Sequence, residues 1–155
     1  MDSRRRKVLG LAAGAGALGA ATAAGLIAAG PAWAANRNEA AFQSKAVADA
    51  LKNLGAGNPV ESRDIVITAP DIAENGAVVP VAVTSRIPNT ESIAIIAEKN
   101  PFPLAASFDI GPNLDAYVST RLKVGQTTDM RAIVKAGGKF FTAVKEVKVT
   151  VGGCG

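Results

Sequence analysis

Beyond Gly57-Asn58-Pro59 the chain never returns to a helical repeat, and this constrains its fold more than any other feature. From there on, apolar residues either alternate with polar ones or form runs of a few residues, each closed by turn-forming residues. The pattern predicts strands near 62–69, 77–84, 92–98, 104–110, 116–124, 129–136 and 139–151. Seven short strands with no second helical segment predict a mainly β fold, an immunoglobulin-like antiparallel β-sandwich. The Cys-Trp-Cys signature of true immunoglobulin domains is absent, because the sole tryptophan, Trp33, precedes the strands. Glu74-Asn75-Gly76 offers the positive-φ positions of a tight turn, and Lys135-Ala136-Gly137-Gly138-Lys139 reads as a hairpin loop feeding the last strand. Asn100-Pro101-Phe102-Pro103 reads as a rigid, partly apolar loop. In the last strand Val147, Val149 and Val151 share one face, and the other includes Lys145, Lys148 and Thr150.

One helix is expected before the strands. Asn36 followed by Glu39 imitates a capping box, and Ala40, Gln43, Val47, Ala50, Leu51 and Leu54 recur at helical spacing until Gly55 ends the run. The long apolar runs of the strands around 92–98 (Ile93, Ala94, Ile95, Ile96) and 104–110 (Leu104, Ala105, Ala106) carry few charges. They are candidates either for a surface that a partner covers or for central strands.

Residues 1–34 read as a cleaved export signal. Arg4, Arg5, Arg6 and Lys7 form a basic start, a weakly hydrophobic run rich in alanine and glycine follows, and Ala32-Trp33-Ala34 supplies a small-x-small cleavage pattern. The adjacent arginines and the modest hydrophobicity suit the twin-arginine route and so a periplasmic destination. The run is long enough to span a bilayer, but its glycines and the cleavage pattern argue against a stable membrane anchor. The leader also distorts the charge. Of the 17 Lys and Arg and 13 Asp and Glu, it holds four and one, which leaves 13 and 12 in the mature chain. A near-neutral mature chain with so few aromatics is a poor nucleic-acid platform. Its length of about 120 residues suits one domain, taken as residues 35–151.

The chemistry concentrates at the other end. Cys154 is the only cysteine, and it lies between Gly153 and Gly155 in a terminal Gly152-Gly153-Cys154-Gly155. No side chain there can pack, so residues 152–155 are expected to form a flexible arm that exposes a nucleophilic sulfur, where a structural cysteine would be buried. The alternative is a frayed tail with an incidental cysteine. The chain has no histidine, so Ser-His-Asp and Cys-His catalysis are excluded, and one cysteine without imidazole cannot assemble a zinc, haem or iron–sulfur site. No phosphate loop or dinucleotide fingerprint occurs. A thiol-redox enzyme would need a resolving cysteine or a histidine beside Cys154. These residues describe a handle without catalytic machinery: no metal, no cofactor, not an enzyme.

Ala73-Glu74-Asn75-Gly76-Ala77, Val79-Pro80-Val81, Asn100-Pro101, Phe108, Thr120-Arg121 and, above all, Lys145 through Gly155 (KEVKVTVGGCG) resemble the SoxY family. These are the sulfur-carrier subunits of the periplasmic thiosulfate-oxidising Sox system. The family typically ends Gly-Gly-Cys-Gly-Gly, one glycine longer than here. The resemblance implies an immunoglobulin-like sandwich with an N-terminal helix, a heterodimer with the small β protein SoxZ, and covalent attachment of substrate at Cys154. It also implies visits to a c-type cytochrome, a sulfate thiohydrolase and a sulfane dehydrogenase. The competing reading is a structural or partner-binding periplasmic sandwich.

Overall fold

A computed structural model describes residues 37–150. Two short helices, α1 (Glu39–Phe42) and α2 (Val47–Asn53), precede nine strands: β1 (Val60–Glu61), β2 (Ile65–Thr68), β3 (Ile72–Ala73), β4 (Val79–Ser85), β5 (Thr90–Ala97), β6 (Leu104–Asp109), β7 (Tyr117–Leu122), β8 (Thr128–Ala136) and β9 (Lys139–Val149). Seven of the nine lie where the alternation placed them. The two-residue β1 and β3 are too short to carry a period. The larger sheet runs β1-β9-β8-β5-β6 with β3 also on β9, and the smaller runs β2-β4-β7. The long pairings are antiparallel, while β1 and β3 join β9 as short parallel bridges on the edge that β8 leaves open.

The two sheets face each other across one core. Val79, Val81 and Val83 of β4 and Val118 and Leu122 of β7 meet Ile93 and Ile95 of β5, Met130, Ala132 and Val134 of β8 and Val147 of β9. Within each strand these residues are separated by an even number of positions, so the alternation seen in the sequence is the pleat filling the sandwich. Each fully buried valine or isoleucine contributes roughly 1.5–3 kcal/mol relative to exposure. A second apolar layer lies behind the larger sheet, where Ala94, Ile96, Leu104 and Ile133 pack with Ala41, Ala50 and Ala56, flanked by Leu51, Leu54 and Phe140.

That second layer corrects two expectations. Ile93, Ala94, Ile95 and Ile96 are not a surface for a partner. β5 lies between β8 and β6, with the other sheet on one face and the helices on the other, so its apolar run is that of a strand buried on both sides. Leu104 is buried beneath the helices as well, whereas β6 itself is an edge strand. The expected single helix is two. Asn38 caps α1, its side chain accepting from Ala41 N at 3.1 Å, and Asn36 lies outside the described residues. The break follows from side chains that take up the backbone oxygen of Ala40: Ser44 Oγ donates to it at 2.8 Å and Asn53 Nδ2 at 3.1 Å. Asn38 Nδ2 donates in turn to Asn53 O at 2.8 Å, tying the start of α1 to the end of α2. As a result Ala41 is buried, and Ala40 and Gln43 are exposed. α2 ends at Gly55 as expected, with φ of 76° and the Ala56 N–H bonded to Leu51 O at 2.8 Å.

The turns divide similarly. Gly137 and Gly138 have φ of 55° and 73° and close the two-residue β8–β9 hairpin. Gly76 is not a positive-φ turn residue. The positive-φ positions outside glycine are Asn89 and Asn113 among the described residues.

Candidate functional site

Gly152, Gly153, Cys154 and Gly155, and the expected strand residue Val151, lie outside the described residues. The described structure holds the strand that carries them, as far as Thr150. β9 is eleven residues long. It is held along one side by β8 from Ala136↔Lys139 to Thr128↔Val147. On its other side it meets β1 at Phe141 and Thr142 and β3 at Lys148 and Val149.

The segment leading into β3 is pinned to β9 by a lysine. Lys145 Nζ donates to Ala69 O at 2.7 Å and pairs with Asp71 Oδ1 at 3.0 Å. Asp71 O accepts in turn from Lys148 N at 3.0 Å, and Ala73 O from Thr150 N at 3.2 Å. On the β8 side the Thr127 hydroxyl accepts from Val149 N at 3.0 Å. Gly76 sits over this strand end: a Cβ there would lie 2.4 Å from Val124 O and 2.9 Å from Val149 Cγ1. Val124 N donates to Gly76 O at 2.7 Å, so the two loops press directly on each other.

A third loop braces the second. Asn100 Nδ2 donates to Lys123 O at 2.8 Å and its Oδ1 accepts from Gly125 N at 3.3 Å. Lys99 N donates to Thr128 Oγ1 at 2.9 Å, and Gln126 Nε2 to Lys99 O at 3.3 Å. Sequence reasoning read Asn100-Pro101-Phe102-Pro103 as a rigid loop without finding what Asn100 holds. It assigned no role to Thr127, for which a lone loop threonine gives no periodic signal, and it read Gly76 as a turn residue.

The rest of the described surface offers little chemistry. No group of His, Cys, Asp or Glu among the described residues could hold a metal ion. None of the described helices is long and apolar enough to cross a membrane. A cavity of about 370 Å³ is lined by loop residues including Arg86, Asn89, Asn113 and Asp115. It lies at the end of the sheet where β5 and β9 begin, opposite the end of β9. Glu91 accepts from Lys135 Nζ at 2.8 Å and from Gly138 N at 3.2 Å. The Lys135 ammonium, followed by the Gly138 N–H, holds its carboxyl below the ordinary 4.5. That group braces the β8–β9 hairpin.

The family model for sulfur oxidation protein SoxY matches residues 51–154. Among solved structures the chain is similar to the sulfur carrier protein SoxY of Chlorobium limicola f. thiosulfatophilum. The identity is 44%, covering 66% of this chain and 94% of that one, with a TM-score of 0.61. It is also similar to the superoxide reductase (neelaredoxin) of Ignicoccus hospitalis at 22% identity, over 57% of this chain and 81% of that one, with a TM-score of 0.51. At that identity the likeness concerns the fold alone. No curated protein sequence matches the chain.

Proposed function

Because this chain belongs to the SoxY family, sulfur carriers of sulfur oxidation, we propose that it holds thiosulfate-oxidation intermediates covalently on Cys154 and presents them to the enzymes of a Sox system. The observation that carries this reading is that the family match runs through residue 154 and so includes the chain's only thiol. β9 is bonded through Thr150, four residues before the sulfur. The protein is then a covalent substrate carrier, and the reactions belong to its partners.

The cycle follows from sulfur chemistry. The Cys154 thiolate joins the outer sulfur of thiosulfate, and the two electrons released go to a c-type cytochrome, leaving a thiosulfonate. Water attacks the terminal sulfur of the adduct; sulfate leaves with two protons, and a persulfide remains on Cys154. A sulfane dehydrogenase removes six electrons and adds three oxygens from water. The thiohydrolase then releases a second sulfate and restores the thiol. A thiol near its reference pKa of about 8.5 is only a few per cent ionised at neutral pH, so activation falls to the partner's site.

Residues 1–34 serve in this reading as a twin-arginine signal, residues 35–151 as the carrier domain paired with SoxZ, and residues 152–155 as the arm. Glycines on both sides of Cys154 give it the narrow profile that a recessed active site requires. The test is intact mass spectrometry of the mature protein after turnover with thiosulfate, alongside thiosulfate-dependent cytochrome c reduction in the reconstituted system. Wild type should show thiosulfonate and persulfide adducts, and Cys154→Ser should show neither adducts nor reduction. Activity retained by Cys154→Ser would leave the structural, partner-binding sandwich as the reading.

A further inference from the structure

The end of β9 outruns its principal partner. β8 begins at Thr128, opposite Val147, so Lys148, Val149 and Thr150 extend past the last rung of that ladder. Strand ends in this position ordinarily fray. Here all three N–H groups are bonded: Lys148 to Asp71 O at 3.0 Å, Val149 to Thr127 Oγ1 at 3.0 Å, and Thr150 to Ala73 O at 3.2 Å. The outer two are rungs toward β3. The middle one is a side-chain hydroxyl standing where a β8 carbonyl would be.

Gly76 closes this collar. Any side chain there would collide with the Val124 carbonyl and with the Val149 side chain, so the close approach of the two loops over β9 depends on its bare Cα. The Asn100 bonds to Lys123 and Gly125 hold the Thr127 loop from behind.

We infer that Thr127 and Gly76 are positioning residues for the carrier reaction, holding β9 in register to Thr150 so that the chain leading to Cys154 starts from a fixed origin four residues before it. The inference rests on the carrier role of Cys154 proposed above. Releasing Val149 and Thr150 would move that origin from four residues before Cys154 to six, extending the reach by about 7 Å. Where tether length matches the distance to be spanned, the concentration of thiol at a recessed site falls with about the three-halves power of length, here about twofold.

The test uses the full mature chain. Thr127→Val keeps the shape and removes the acceptor, whereas Thr127→Ser keeps the hydroxyl. In Thr127→Val, amide exchange at Val149 and Thr150 should rise by about tenfold or more, alkylation of Cys154 by a small reagent should be unchanged, and the carrier concentration for half-maximal cytochrome reduction should rise about twofold. Thr127→Ser should restore all three to wild-type values. The decisive measurement is a deletion of Gly152 with and without Thr127→Val. The deletion alone shortens the tether and slows turnover; adding Thr127→Val should recover part of the rate, because the released residues supply the missing length. A substitution that merely destabilised the fold would deepen the loss.

A double variant no faster than the deletion alone, or unchanged exchange at Val149 in Thr127→Val, overturns the inference. Gly76→Ala should release the same amides, and if it does not fold, the Thr127 series carries the test. Cys154→Ser in the same assay separates the two claims. Turnover by that variant defeats the carrier reading itself, whereas an inactive Cys154→Ser with no recovery in the double variant defeats only the collar.

Discussion

At the scale of single residues, Glu91 and Gly76 show what a side chain, or its absence, contributes. Because the Glu91 carboxyl is held below 4.5 in the folded protein, its contribution is present above about pH 4.5 and is lost as pH falls through the folded value. The pair is exposed, so the effect should be small and weakened by salt. Urea midpoints of wild type and Glu91→Gln should therefore differ at neutral pH and converge on acidification, and a gap that persisted in acid would count against the assignment. Gly76 makes a larger demand. A methyl group there meets backbone at 2.4 Å, which no rotamer change relieves, so Gly76→Ala should cost about 1–3 kcal/mol by denaturant unfolding. Gly57 and Gly125 have open space at the same position, and alanine at either should be within about 0.5 kcal/mol of wild type. The sequence marked Gly76 through its neighbour Asn75 as a turn, since the pattern that signals positive φ is also that of a close backbone approach.

At the scale of elements, β5 and the helices depend on each other. A half-buried strand has one face where substitution is nearly free; from Ile93 to Ala97 β5 has none, because Ile95 faces the sandwich and Ile96 the helical layer, with exposures of 1% and 0%. Ile95→Ala and Ile96→Ala should each cost about 2–5 kcal/mol, measured as loss of unfolding free energy in urea. An Ile96→Ala variant as stable as wild type would mean the helical layer contributes no packing. The run Ile93–Ile96 was legible as a strand, but a continuous apolar run is equally what an exposed sticky strand would show. The helical break was not legible. Its cause is hydrogen bonds from Ser44 and Asn53 to Ala40 O, and Asn53 lies thirteen residues from Ala40.

At the scale of the molecule, the described domain keeps open sheet edges at β6, β2 and β7. Pairing with SoxZ, as proposed, should appear in analytical ultracentrifugation as a 1:1 complex of the mature chain with its partner. A mature chain that stays monomeric in the presence of SoxZ would remove that part of the proposal. Export is testable separately: lysine in place of Arg4, Arg5 and Arg6 should leave precursor in the cytoplasm, because the twin-arginine route reads the arginine pair and not charge alone. Unchanged periplasmic yield would refute that route.

The sequence by itself determined the seven long strands, the Gly137-Gly138 hairpin and the Gly55 helix stop, because each is written in local periodicity or in a backbone conformation that glycine adopts at little cost. It also singled out one candidate nucleophile, since the chain has one thiol and no imidazole. Tertiary structure decided what lies on each face of those strands. Whether Ile96 meets solvent, partner or helix depends on where residues 39–53 settle, and no local pattern encodes that. It also decided what holds the end of β9, because Asp71, Ala73, Gly76 and Thr127 come from segments 22 to 77 residues away from the amides and side chain they meet. Such contacts are set only when two sheets pack and bring distant loops to one end of the sandwich.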